Sequence, residues 1–388
     1  MYQKKNNNLI IYYLFLLLPI SFLIGSFFVN LIATLISIYT LIWILKNKKY
    51  TVFIERPYIY LFLLFLLFLL SSTFSIYTVP TFQNSLSYLL NLFLFLSLIY
   101  LFSNDKNKLF YISRFIFVIV ILICLDLWIQ KYAGKNVLGY TVQQAGRLTS
   151  VFRDEQIPGS VIFKFLPFVI YYLFQEKKSQ IIVNLKYLIL IFIYFSVLIT
   201  GERASSILIT ILFIFLLITN FNSIDRKKIL SYFVLISIVF LALLSQKNSV
   251  IKERFNYTFT QSKNNVYLKF YDNSFQIFKK NILLGTGPQT YRYECPKISK
   301  NCSTHPHNFV FELLSDSGIF APIILVISLF SLVFNKIKRV NNKFFKTLIP
   351  IYSILLFFPL IPTGSFFTSF HMVLTWFSLG FLYSIEEK

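Results

Sequence analysis

Residues 57–77 read PYIYLFLLFLLFLLSSTFSIY, a run of 21 residues without a charged side chain. About 20 consecutive apolar residues are needed for an α-helix to span the hydrocarbon core of a bilayer. Working outward from this run, apolar stretches separated by polar breaks predict about twelve such helices, at about 9–24, 27–45, 57–77, 84–103, 109–130, 159–175, 183–200, 204–221, 229–245, 308–335, 344–361 and 366–384. The predicted fold class is an all-α polytopic membrane protein.

Composition supports this prediction. Of the 388 residues, 56% are hydrophobic and 13% are charged, whereas soluble domains average about 45–50% and about 25%. Twelve helices of about 20 residues would use about 240 residues. We therefore expect residues 1–388 to form a single integral membrane domain, which excludes a soluble enzyme and a receptor with one membrane anchor.

The charge distribution predicts the topology. There are 37 basic and 15 acidic residues, a net charge of +22, which in a soluble protein would indicate nucleic acid binding. If the N-terminus is cytoplasmic, however, 21 basic residues fall on the cytoplasmic side and the short outer loops carry one, Arg203. Because Lys and Arg accumulate in cytoplasmic loops, both termini are predicted to be cytoplasmic, and no nucleic acid partner is expected.

Two longer outer loops remain, at 131–158 and at 246–307. The larger lies between the ninth and tenth predicted helices and carries ten basic and three acidic residues. A positive excess on the outer side opposes the usual charge rule, which favours contact with an anionic group. The alternative is that a long loop in a Lys-rich chain is simply basic.

The end of the larger loop carries the residues with the clearest chemistry. Two of the three histidines lie in His305-Pro-His307, directly before Asn308 and an apolar run. A histidine titrates near neutral pH, so His307 suits general acid–base catalysis, and Asn308 suits a helix cap. Metal binding is disfavoured because no HExxH motif or zinc-type Cys/His spacing accompanies the histidines. Gly285 and Gly287 predict a turn, which alone is weak evidence for phosphate binding.

Taken together, these residues resemble the bacterial O-antigen ligase/polymerase superfamily. The resemblance runs from Leu284-Gly-Thr-Gly-Pro288 through His305-Pro-His-Asn308 to Asp316-Ser-Gly318. Thr200-Gly-Glu-Arg203 is similar to the family's T-x-S-R element with Glu202 in place of Ser, and Gly146-Arg147 is similar to its arginine-bearing segment. The ligase pattern H-[N/S]-x9-G-x-x-[G/T/Y] is matched except at the last position, where Ala321 stands.

The resemblance implies an inverting, metal-independent glycosyl transfer without a cofactor, on the periplasmic face of the bacterial inner membrane. The donor would be a glycan on undecaprenyl diphosphate. A ligase passes the glycan to the lipid A core, whereas a polymerase passes it to another repeat unit. Both remain open, as does the more distant possibility of a transporter or lipid-linked oligosaccharide flippase, which typically shows internal repeats that this sequence lacks.

Residue roles follow from the chemistry of this reaction. His307 would be the general base for the acceptor hydroxyl. A diphosphate leaving group requires fixed cations, and arginine grips phosphate with two donors. The candidate cations are Arg147, Arg203, Arg292, Arg254 and Lys164. For Lys164 and Arg203 the alternative is a snorkelling anchor, in the case of Arg203 paired with Glu202.

Supporting positions complete the expectations. Asp316 stands at the family's acidic position and would orient a His or an Arg, while Asn308, Gly285, Gly287 and Gly318 would support the site. Cys295 and Cys302 lie in a loop predicted to face an oxidising compartment, where a disulfide between them is expected.

Overall fold

The computed structural model describes residues 3–102, 105–142, 146–174, 180–219 and 266–385, with residues 231, 234 and 238. Throughout this part of the chain the regular structure is helical, and an isolated antiparallel bridge between Lys135 and Thr141 is the only β pairing found there. The predicted all-α class is therefore confirmed for the described residues.

Most of the helices follow the apolar runs, whereas two lie within residues 246–307, which the sequence predicts as a loop. They are α1 (Gln3–Ile24), α2 (Ser26–Lys46), α3 (Tyr58–Thr73), α4 (Thr78–Phe102), α5 (Lys106–Ala133), α6 (Pro158–Phe174), α7 (Gln180–Ile199), α8 (Arg203–Thr219), α9 (Val266–Lys280), α10 (Tyr291–Glu294), α11 (Phe309–Ser317), α12 (Phe320–Arg339), α13 (Lys343–Leu356) and α14 (Ser369–Ser384). Short 3₁₀ turns lie at Tyr50–Phe53, Ser150–Phe152 and Cys295–Lys297.

Four of the described helices, α2, α4, α5 and α12, are long and apolar enough to cross a bilayer. The apolar portions of α1, α3, α6, α7 and α8 are shorter, at 10–17 residues. The chain is thus a membrane protein, whereas the count of twelve spans remains a prediction. The predicted span at 229–245 lies almost entirely outside the described residues.

The predicted single helix at 308–335 is wrong, because two helices occupy it. Helix α11 ends at Ser317, Gly318 adopts a φ of +77°, and α12 begins at Phe320. A Cβ atom on Gly318 would lie 2.1 Å from the Leu283 carbonyl oxygen. The break therefore follows from glycine geometry and close backbone contact, which apolar periodicity does not register.

The chain divides into two compact units. The first comprises residues 1–105 and 264–388, and the second comprises residues 106–263. In the first unit α14 packs against α4, where the Trp376 and Phe95 rings meet edge to face at 5.6 Å. A Cβ on Gly380 would lie 2.9 Å from the Phe95 carbonyl oxygen, so glycine allows this close helix approach. In the second unit α5, α6 and α7 pack together and α8 completes the group.

Candidate functional site

In the first unit, the glycine turn at 285–287 is bonded to the end of α11. The backbone N–H groups of Thr286 and Gly287 donate to the carbonyls of Ser315 and Asp316 at 3.1 and 2.8 Å. Gly285 has a φ of +67°, and a Cβ there would lie 2.4 Å from the Asp316 carbonyl carbon. The described contacts thus give these glycines a packing role.

A serine in the last turn of α3 and a serine just after it hold the other side of this turn. Ser71 Oγ donates to the Leu284 carbonyl at 2.6 Å, and Ser75 Oγ donates to the Thr286 carbonyl at 2.6 Å. Sequence reasoning missed both residues. The available signal was the polar run that starts at Ser71, at the end of an otherwise apolar helix.

Asp316 connects α11 to the residue beside Arg292. Its buried carboxylate accepts from the Tyr291 backbone N–H at 3.0 Å and from Ser315 Oγ at 3.1 Å. Arg292 itself interacts electrostatically with His305 and with Glu312. The structure therefore brings Arg292, Asp316 and the histidine segment into one unit.

The loop between α13 and α14 closes over the start of α11. Buried Glu312 accepts from Ser365 Oγ at 2.5 Å and from the Phe366 N–H at 2.6 Å. The Thr363 N–H donates to the His307 carbonyl at 2.8 Å. Glu312, Thr363 and Ser365 were not singled out as site residues, although the polar Thr-Gly-Ser between two apolar runs marks this loop in the sequence.

Asn308 caps α11 and ties it to the same loop. Its Oδ1 accepts from the Val310 N–H at 3.0 Å and the Phe311 N–H at 3.4 Å, and its Nδ2 donates to the Pro359 carbonyl at 2.7 Å. A side-chain acceptor at this position satisfies helix N–H groups that otherwise lack partners. His307 is thereby fixed immediately before a capped helix.

The two histidine rings lie against each other with centroids 4.0 Å apart. His307 Nε2 is 3.0 Å from Ser303 Oγ, and His305 Nδ1 is 3.1 Å from Thr304 Oγ1. Burial lowers the pKa of His307. Burial, followed by the neighbouring His307, lowers the pKa of His305 to about 3. Both imidazoles are therefore neutral at neutral pH, the state in which an imidazole accepts a proton.

Helix α9 supplies an aromatic frame for His307. The Phe270 ring stacks on the imidazole at 5.7 Å, and the Tyr267 ring meets it nearly edge-on at 5.5 Å. His307 itself has a φ of +56°, an uncommon backbone conformation for a residue with a side chain. The position of the imidazole is thus set both by its contacts with these two rings and by the left-handed backbone conformation of His307.

Cys295 and Cys302 form a disulfide with a Cα–Cα distance of 5.9 Å. The bridge packs on buried Ile277 and Tyr291, and Asn273 Nδ2 donates to the Asn301 carbonyl at 3.0 Å. This arrangement fastens the segment that leads to Ser303 and the histidines onto α9.

In the second unit, two polar side chains of α5 organise the outer loop that carries Arg147. Asp126 accepts from the Val137 N–H at 2.9 Å and from Ser150 Oγ at 2.6 Å. Gln130 Oε1 accepts from the backbone N–H groups of Thr149 and Ser150, at 3.0 and 2.8 Å. These residues were also missed as site-building positions. The signal was a carboxylate and an amide within an apolar helix.

Glu202 lies at the N-terminus of α6, near Arg147 and Lys164. Its carboxylate accepts from the N–H groups of Gly159 and Ser160 at 2.6 and 3.0 Å, and from Ser205 Oγ at 3.0 Å. Burial raises the pKa of Glu202 to about 7, against the effect of these bonds and of Arg147.

The cations of this unit gather near that carboxylate. Lys164 interacts electrostatically with Glu202, and Arg147 also donates to Gln156. Arg203 is the first residue of α8, next to Glu202 in the chain. Arg254 lies outside the described residues. Among the residues that are described, no three His, Cys, Asp or Glu side chains form a group able to hold a metal ion.

The described part of the molecule is thus a helical membrane protein. In it, the neutral side chain of His307 is packed between aromatic rings, directly before the N-cap of the short helix α11. Residues 188–326 match the family model described as O-antigen ligase. The match confirms the resemblance to the O-antigen ligase/polymerase superfamily, whose members are glycosyltransferase-like enzymes. The matched segment includes Arg203, the glycine turn and His307. No curated protein matches the chain.

Proposed function

We propose that the chain is an O-antigen ligase-like glycosyltransferase that moves a glycan from undecaprenyl diphosphate to the lipid A core. The family match over residues 188–326 supports glycan transfer between lipid-linked partners. The observation that carries the proposal is the neutral His307, fixed beside the cap of α11 inside the matched segment.

In the proposed reaction, the acceptor hydroxyl oxygen attacks the anomeric carbon of the donor sugar. The new C–O bond forms as the bond to the diphosphate breaks, and the diphosphate leaves with the electron pair. The hydroxyl proton passes to the neutral imidazole of His307. Attack opposite the leaving group inverts the anomeric carbon. The reaction as proposed uses neither a metal nor a cofactor.

The cations have a separate role in the proposal. The cations proposed to neutralise the leaving diphosphate are Arg147, Arg203, Arg292 and Lys164, as the sequence predicts. For Arg254 the same role rests on the sequence alone. Asp316, through the Tyr291 backbone, would position Arg292, and the glycines would hold the turn against α11.

The proposed location is the periplasmic face of the bacterial inner membrane, with both termini in the cytoplasm. The support is the placement of basic residues, since 21 of them fall on the cytoplasmic side in this topology and the short outer loops carry only Arg203. The lipid partners would then be the surrounding membrane lipids and the polyprenyl chain of the donor.

A polymerase that joins lipid-linked repeat units is the second candidate. The observation that favours it is Ala321, which replaces the Gly, Thr or Tyr of the ligase pattern. Ala321 is fully buried in the first turn of α12. The buried position three residues after Gly318 therefore carries a methyl group, and neither the bare backbone of Gly nor the hydroxyl of Thr or Tyr found in the ligase pattern.

Complementation of two bacterial hosts distinguishes these functions. One host lacks its O-antigen ligase and the other its polymerase, and lipopolysaccharide gels show which product is restored. Capping of the lipid A core in the first host, lost in His307→Ala at equal membrane expression, would support a ligase that uses His307. A ladder restored only in the second host would support the polymerase. Gln276→Ala, which removes an exposed side chain of α9 bonded to Asp272, is the control and should remain active.

A further inference from the structure

A groove of about 580 Å³ lies in the first unit, away from the polar contacts of the histidines. Its walls come from the connection between α3 and α4 at residues 74–77, from residues 281–286 after α9, and from Glu294 of α10. This volume lies within the range of small-molecule sites, about 300–1,000 Å³. None of the roles proposed above uses the side chains that line it.

One wall of the groove is apolar, and its residues from the predicted membrane run 57–77 lie beyond the end of α3, which stops at Thr73. The Phe74 side chain is 73% exposed, Ile76 is 86% exposed and Leu283 is 63% exposed. Phe74 thereby presents its ring to whatever occupies the groove.

The other wall carries unused hydrogen-bonding capacity. Glu294 Oε1 accepts from Tyr77 Oη at 3.0 Å and from Lys297 Nζ at 2.6 Å, while Oε2 accepts no hydrogen bond from the described residues. The Glu294 side chain is only 13% exposed. The Asn281 side-chain amide likewise forms no hydrogen bond within the described part of the chain. A carboxylate acceptor and an amide therefore face the same space as an exposed aromatic ring.

This combination matches the chemistry of a sugar ring. A pyranose has a face of C–H groups that packs on an apolar or aromatic surface, and an edge of hydroxyls that both donate and accept hydrogen bonds. We infer that the groove is a carbohydrate subsite, in which Phe74 covers the C–H face and Glu294 and Asn281 bind hydroxyls. The inference rests on the proposed glycan transfer and deepens it.

The position of the groove indicates which part of a glycan it takes. Its Gly285–Thr286 wall is bonded to the C-terminal end of α11, whereas His307 precedes the N-terminal end. The nine residues of α11 span about 13 Å at about 1.5 Å per residue. The bound sugar is therefore a residue beyond the reacting one, in the chain of either the donor or the acceptor glycan.

The test measures binding of lipid-free oligosaccharides to the full-length protein in nanodiscs, by saturation-transfer NMR and titration. One probe is the repeat-unit oligosaccharide released by mild acid from the lipid-linked donor. The other is the core oligosaccharide released from lipid A. Wild type should bind one of them, and Asn281→Ala, Glu294→Gln and Phe74→Ala should each weaken that binding about 3- to 10-fold, as for the loss of one contact.

Two matched controls separate the groove from surface effects. Gln276→Ala removes an exposed amide of α9 that does not line the groove, and Phe330→Ala removes a ring that is 69% exposed on α12. Both should bind like wild type. Binding of the repeat unit would assign the groove to the donor, and binding of the core would assign it to the acceptor.

The subsite would be overturned if wild type bound neither oligosaccharide, or if the groove variants bound as wild type does. Equal weakening by Phe74→Ala and Phe330→Ala would also count against it. His307→Ala distinguishes the two proposals, because it should abolish transfer and leave oligosaccharide binding unchanged. If His307→Ala transferred glycan normally while the groove variants lost binding, the general base would be wrong and the subsite would stand.

Discussion

Replacing Gly285 with alanine tests whether the glycine turn acts by packing. Gly285 has a φ of +67°, and its added Cβ would lie 2.4 Å from both the Asp316 carbonyl carbon and the Ser317 nitrogen. Gly134 is a matched control, since it has a φ of +74° and nothing within 4 Å of an added Cβ. Both substitutions place a side chain in the left-handed region, but only Gly285→Ala also meets backbone.

The two costs can be separated. A left-handed conformation costs a residue with a Cβ about 1–2 kcal/mol, and both variants share this cost. At Gly285 the Asp316 backbone must also retreat by about 1 Å to reach an ordinary contact distance, and overpacking of this kind costs about 1–3 kcal/mol. We expect Gly285→Ala to lower the free energy of unfolding by about 2–5 kcal/mol, and Gly134→Ala by about 1–2 kcal/mol.

The assay is unfolding of the purified protein in mild detergent by titration with a denaturing detergent, followed by tryptophan fluorescence. Glycan transfer is measured in parallel at a temperature where both variants are folded. Because the Asp316 backbone is the end of α11, the displaced helix should also reduce the turnover number of Gly285→Ala. Equal destabilisation of the two variants would refute the packing role.

Four further predictions follow from the contacts of the site. His307→Ala should reduce turnover by about 10²- to 10⁴-fold, and single-turnover assays that gave the wild-type rate would contradict the general base. Because burial lowers the pKa of His307, its imidazole stays unprotonated down to a pH below about 6.5, the usual pKa of a histidine. The acid limb of kcat/KM should therefore lie below that pH, and a limb at or above it would argue against this assignment. Glu202→Ala removes the acceptor of two N–H groups and a hydroxyl, and it should lower the free energy of unfolding because each buried donor left unpaired costs about 1–3 kcal/mol. Glu155→Ala at an exposed site is the control and should leave the free energy of unfolding unchanged. Replacing Cys295 and Cys302 together with serine should cost about 2 kcal/mol for so short a loop, and unchanged unfolding in the double variant would contradict its structural role.

Helices were the most predictable part of the fold. The run at 57–77 and its neighbours predicted most of the helices, because bilayer-length apolar runs leave little choice of structure. Helix α9 was not predicted, since it has no long apolar run and lies in the segment predicted as the larger loop. The break at Gly318 was missed because it depends on the Leu283 carbonyl, which lies 35 residues earlier in the chain. Apolar pattern records which residues avoid water, and it does not record backbone contacts between distant segments.

The sequence predicts the motif residues of the candidate site, but it does not predict the residues that contact and support them. His307 and Asn308 stand out through residue type and place, and the Asn308 cap follows local rules. Glu312 is different, since its partners Ser365 and Phe366 lie more than 50 residues away. Such pairing follows from the tertiary fold, so one sequence does not reveal it.

The left-handed backbone of His307 has a practical consequence for trapping the enzyme with substrate bound. Asparagine is the residue besides glycine that most readily adopts this conformation, and it carries no group that accepts a proton at neutral pH. His307→Asn should therefore remove the base while keeping the backbone that offers its carbonyl to Thr363. It is the variant to choose for imaging a stalled complex with donor and acceptor both in place.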